Sequence, residues 1–157
     1  MALSVEFKTE KKEFSNTEPI AFFLNNRSNQ PVFFELFRGL PFHVRLLQKN
    51  GGQTVEAHTR FQMLKRPANG FSVQSLAPNQ EFRFLLNNRK QFESLLLSKT
   101  NNPDEVVGEF QLELWIGGGT LPIGENKYFT VPELGYSTEL KPPFSKLQTN
   151  WFKIKKK

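Results

Sequence analysis

The chain has no cysteine, which excludes disulfides, thiolate metal sites and a cysteine nucleophile. Histidine is almost as scarce. His43 and His58 have no carboxylate at metal-ligand spacing, and no His-Glu-x-x-His motif occurs. A Gly-x-Ser-x-Gly nucleophile elbow is missing as well. The stretch "GGGTLPIGENK" superficially resembles a phosphate loop. Glu125, however, follows Gly124 where a lysine is required, and Pro122 opposes a helix at that point. Carboxylates are dispersed along the chain, so nothing in their spacing suggests a paired acid/base site. These absences point to a protein that is not an enzyme and needs no cofactor and no metal.

No apolar run approaches the length of a membrane span. The start "MALSVEFKTE" lacks a basic region followed by an apolar run, so no signal peptide is visible. The expected address is cytoplasmic, though a secreted form trimmed of its leader would read the same. Asn26-Arg27-Ser28 fits a glycosylation acceptor, relevant only on a eukaryotic secretory route.

What is present in excess is phenylalanine, at 17 residues in 157. It supplies the bulk that Leu, Ile and Val usually share, and the chain is long enough for one domain with a sizeable core. Ten Pro and ten Gly scattered along the sequence mark many turns between short elements, which favours an all-β fold. Of the net charge of +6, four units are Lys153, Lys155, Lys156 and Lys157. Without them the domain is close to neutral, so a basic nucleic-acid groove is not expected. A membrane partner is not expected either, and the lysines read as a solvated, frayed end.

Period-two patterns separated by turn residues run through the chain. Leu3, Val5 and Phe7 alternate with polar residues. Ile20, Phe22 and Leu24 share one face of a second strand, with Ala21 and Phe23 opposite. Beyond the polar stretch 25–31, Val32, Phe34 and Leu36 share a face, with Phe33, Glu35 and Phe37 opposite. The spacing predicts a hairpin there. Phe42, Val44 and Leu46 alternate next, with His43 on the polar side, and "KNGG" predicts a second hairpin because Asn and Gly accept positive φ. "TRFQMLKRP" reads as extended, and "LAPNQ" as a turn into 81–86. "NNRKQFESLLLSK" is the best helix candidate. In "GEFQLELWI", Phe110, Leu112, Leu114 and Ile116 are expected inward, and Glu109, Gln111, Glu113 and Trp115 outward.

About seven short strands at these spacings predict an immunoglobulin-like antiparallel β-sandwich, with a β-barrel as the alternative. The expected organisation is a single domain over 1–157, with its core over about 1–119. An irregular C-terminal extension follows over about 120–157, interrupted by Pro122, Pro132, Pro142 and Pro143. Its end, "NWFKIKKK", reads as one last strand or an appended hook.

The order of "IAFFLNNRSNQPVFFELFRGLPF", "VRLLQKNGG", "FQMLKRP", "SLAPNQEFRFLL" and "GEFQLELWI" resembles the immunoglobulin-like accessory domain of deuterolysin-type (aspzincin) metallopeptidases. It is more distantly similar to the small bacterial intracellular proteinase inhibitors. The likeness covers about 20–116. The zinc-binding helix of the peptidase is absent, so the resemblance implies a freestanding binding or inhibitor-like module rather than a protease, with no functional residue carried over.

Two functional classes follow. The first is a module that binds another protein through loops. Its candidate residues are Arg38, Leu40, Pro41 and Phe42, a Leu-Pro-Phe corner with an apolar anchor if exposed, and Lys65 and Arg66. If that corner turns inward, it simply joins the core. The second class is an assembly subunit forming oligomers through a face made of Phe23, Phe33 and Phe37. That face is too apolar to lie bare. Either the C-terminal extension or a partner is expected to cover it.

Overall fold

A computed structural model describes residues 4–37, 39–41, 43–50, 53–59, 71–86, 107–118, 129–131, 136–138 and 144–157. Among these residues there are fourteen strands and no helix. In chain order they are β1 (Val5–Thr9), β2 (Glu13–Ser15), β3 (Ile20–Asn26), β4 (Val32–Phe37), β5 (Leu40–Pro41), β6 (Val44–Asn50) and β7 (Gln53–Thr59). They continue with β8 (Phe71–Leu76), β9 (Glu81–Leu86), β10 (Gly108–Gly118), β11 (Phe129–Val131), β12 (Tyr136–Thr138), β13 (Phe144–Gln148) and β14 (Phe152–Lys155). The helix candidate at 87–99 and the extended segment expected around 60–67 lie outside the described residues.

Twelve of the strands form two sheets packed as a sandwich rather than a closed barrel, and β11 and β12 make a third, two-stranded sheet. The smaller has the order β1-β3-β9. The larger is organised around β10, whose alternating sequence makes it two-sided. Along one edge β10 pairs with β6 (Leu112 opposite Leu46) and then β4 (Gly117 opposite Phe33). Along the other it pairs with β14 (Phe110 opposite Phe152) and then β13 (Leu114 opposite Leu147). Thr149 bridges the gap between β13 and β14: its N–H donates to Leu112 O and its hydroxyl accepts from Leu112 N, both at 3.0 Å. Pairing is antiparallel except for β2 with β14, which run parallel. β11 and β12 pair with each other.

The predicted hairpin over 20–37 is replaced by a crossover. β3 lies between β1 and β9 in the smaller sheet, whereas β4 pairs with β8 and β10 in the larger. Asn26 sets this geometry. Its buried side-chain amide donates to Gln30 O and Leu76 O, each at 2.9 Å, and its Oδ1 accepts from Ser28 N at 3.0 Å. Its backbone binds the second crossover, donating to Gln80 O at 3.0 Å and accepting from Asn79 N at 2.6 Å. Asn79 sits at φ 64, a left-handed conformation that asparagine tolerates. The amide nitrogen a glycan would occupy is therefore already committed. By contrast, the hairpin predicted at Lys49–Gly52 forms as β6 and β7, with Asn50 opposite Gln53.

Between the sheets lies a core rich in phenylalanine. Phe7, Phe22 and Phe84 come from the smaller sheet, and Phe14, Phe34, Phe110 and Phe152 from the larger. Phe22 stacks on Phe84 at 5.0 Å within its sheet, and meets Phe152 edge-on across the sandwich at 5.8 Å. Such pairs add about 0.5–1.5 kcal/mol beyond burial itself. The core does not stop near residue 119, since Phe152 and Ile154 are 1% and 3% exposed. The end of the chain is a paired strand rather than a frayed tail. Asn16 N donates to Lys155 O at 2.8 Å and Lys153 N to Lys12 O at 2.8 Å.

Two consequences are measurable by chemical denaturation. Phe152→Ala should destabilise the protein by about 3–5 kcal/mol, because its ring contacts Phe14, Phe22 and Phe110. A loss below about 1 kcal/mol would remove the last strand from the core. Asn26→Ala should cost about 2–4 kcal/mol, since it strips buried carbonyls of donors at both crossovers.

Candidate functional site

The outer face of the larger sheet holds the densest group of polar side chains among the described residues. Alternation along β10 turns Glu113 and Trp115 away from the core, as expected, but both are buried, at 0% and 3% exposure. Glu113 sits directly between Arg45 on β6 and Gln148 on β13. Its Oε1 accepts from Arg45 Nε at 2.6 Å, its Oε2 accepts from Gln148 Nε2 at 2.6 Å, and Lys146 Nζ lies 3.2 Å from Oε2. The Arg45 guanidinium also lies 5.4 Å from the Trp115 ring, a cation–π contact. Burial pushes the Glu113 carboxyl up, but the hydrogen bonds from Gln148 and Arg45, with the Arg45 charge and Lys146, outweigh it. The net effect holds the group below its ordinary value of 4.5.

A second pair lies on the same sheet. Glu35 on β4 and His43 just before β6 approach to 3.4 Å between Oε2 and Nε2, and both side chains are fully buried. His43 O also accepts from Trp115 N at 3.0 Å, which ties the two groups together. The sequence suggests a polar-face histidine, but this His43 is 0% exposed. Period two shows only that His43 faces away from Val44 and Leu46. It carries no information on whether that side meets water. A carboxylate beside an imidazole is an acid/base arrangement, yet at zero exposure neither group is open to a substrate. The pair brings β4 and the start of β6 together.

On the smaller sheet, Lys8, Thr9, Glu10, Phe23 and Glu81 line a surface depression of about 350 Å³. Phe23 is half-buried there, with the Arg83 guanidinium 5.6 Å from its ring and 3.6 Å from Glu10.

Of the predicted site residues, Arg38, Phe42, Lys65 and Arg66 lie outside the described residues. Gly39, at φ 82, turns the chain back so that Pro41 pairs opposite Leu36 and Leu40 opposite Phe37. Pro41 is buried, and Leu40 is half-buried against the core. The described part of this corner therefore faces inward. The single apolar face of Phe23, Phe33 and Phe37 also divides. Phe23 lies on the outer side of the smaller sheet, and Phe33, 6% exposed, on that of the larger; the Phe37 side chain lies outside the described residues. Sequence reasoning missed the Glu113 network. Its only signal was an outward Glu–Trp pair at the end of the cleanest strand. Among the described residues, no three His, Asp or Glu side chains gather as a metal site. No protein-family model and no curated protein matches the chain.

The network makes stability acid-sensitive. Because the folded Glu113 pKa lies below the unfolded one, its contribution is complete above about pH 4.5 and is lost as pH falls through the folded value. The melting temperature should drop on acidification below pH 4.5, and Glu113→Gln should lose less over the same interval. Arg45→Ala should cost about 2 kcal/mol at neutral pH, less than for a fully buried pair, because Lys146 and Gln148 remain.

Proposed function

We propose that the chain is a non-catalytic β-sandwich module that binds another protein. The observation that carries this reading over an assembly subunit is the state of its apolar faces. Phe33 is buried within the single chain, and Val107, at 38%, is the only exposed large apolar residue among the described residues. An obligate oligomer interface resembles a core cut in half, and no such surface is found among these residues. A stiff sandwich holds its surface groups in place, which lowers the ordering cost of association.

The finer reading, an immunoglobulin-like module, is supported by how the strands divide. The first, second, fourth and fifth major strands of that fold share one sheet and the third, sixth and seventh share the other. Here β1, β3 and β9 share one sheet, and β4, β10 and the β13–β14 run share the other, which β6, β7 and β8 also join, so the place of the fourth strand is where this chain departs from that pattern. The similarity of residues 20–116 to peptidase accessory domains and proteinase inhibitors makes a peptidase the first partner to try.

Light scattering should give a monomer, and the immobilised chain should retain one protein from native extract that rebinds when purified. A defined homo-oligomer would favour the assembly reading instead. Turnover of a peptide, ester or phosphate substrate by pure protein, abolished by one substitution, would defeat the non-catalytic reading.

A further inference from the structure

The lysine-rich end gains a definite shape from the fold. In β14, Phe152 and Ile154 fill the core while Lys153 and Lys155 are exposed on the opposite side. Trp151, just before β14, lies on the same side as Lys153, and Lys156 and Lys157 are exposed beyond the end of the strand. Lys49 Nζ lies 4.6 Å from the Trp151 ring and 3.2 Å from Glu109, the residue opposite Lys153. The result is a strip along the outer face of the larger sheet. Lys155 bonds Glu13 at 3.1 Å. Lys153, Lys156 and Lys157 have no carboxylate within ion-pairing distance among the described residues. Val107, the exposed apolar residue, precedes Gly108, which pairs opposite Ile154, and so borders the strip beside Lys155.

We propose that this strip docks an extended acidic peptide segment of a partner protein, with carboxylates at alternate positions. The inference rests on the binding reading above. Residues two apart on a strand stand about 6.6–6.8 Å apart, so alternate carboxylates on an extended peptide match Lys153 and Lys155 in register, with Lys156 and Lys157 adding positive charge just beyond. Val107 offers the apolar contact next to them. A nucleic acid fits less well. The Lys49 ammonium already occupies a Trp151 face on which a base would stack. A membrane surface fits less well still, because interfacial binding needs an apolar face to insert and the strip exposes only Val107.

The test uses the full chain with three fluorescent probes: an alternating Glu-Thr peptide, oligothymidylate and phosphatidylserine vesicles. The peptide should bind, and binding should weaken as salt rises. Joint replacement of Lys153, Lys155 and Lys157 by Gln should weaken it about tenfold, with the melting temperature unchanged. Lys8→Gln, on the smaller sheet, should leave the affinity unchanged. Absence of peptide binding overturns the proposal, as does equal weakening by Lys8→Gln, or binding only to oligothymidylate or only to vesicles. If the triple variant still retains the extract partner as well as the parent does, the binding reading stands and the strip is not its site.

Discussion

Asn26 closes the one corner through which the chain must pass twice between the sheets. Its side chain binds Gln30 O in the crossover after β3 and Leu76 O at the end of β8, and its backbone binds Asn79 and Gln80 in the crossover before β9. Buried amide donors and acceptors need partners, and here one residue supplies them to two connections. With both crossovers held, β3 and β9 stay in one sheet while β4 and β8 stay in the other. Phe22 and Phe84 then face Phe34, Phe110 and Phe152 across the core instead of sharing a flat hairpin. The aromatic packing follows from this division.

The larger sheet is held from outside as well. Glu113 joins β6, β10 and β13 through Arg45, Lys146 and Gln148. His43 and Glu35 tie the start of β6 to β4. Two strands that share no turn with β10 are thus fixed against it by charge-assisted hydrogen bonds to Glu113. The same arrangement makes the part of this face around Glu113 and Trp115 a supporting layer rather than an accessible one. Among the described residues the exposed surface is mainly polar and charged, and a concentration of positive charge follows β14.

That division bears on how such a module works. A partner meeting a polar, lysine-rich strip gains orientation and association rate from electrostatics, and affinity from a few apolar contacts. Such recognition is salt-sensitive and suits exchangeable contacts better than permanent assembly.

Alternation along the sequence is enough to determine the strands and their core sides. Phe22, Leu24, Phe34, Leu36, Phe84, Phe110, Leu112 and Leu114 are buried where period two puts them, because strand side chains alternate whatever the strand pairs with. The β6–β7 pairing is legible for a local reason too, since Asn and Gly between two short strands favour a tight reversal. Which strands become neighbours is not local. "NNRSNQP" suits a hairpin or a crossover equally well, and only the carbonyls of Leu76 and Gln80, some fifty residues away, decide between them. Burial of the second side of a strand is equally invisible along the chain. Glu113, Trp115, Glu35 and His43 look like solvent-facing residues until the rest of the protein surrounds them. The lysines of the last strand show the same limit: their charge is plain in the sequence, but their alignment into a strip depends on β2 and β10 pairing on either side. Alternation is a property of one strand, and neighbourhood is a property of the whole packed chain.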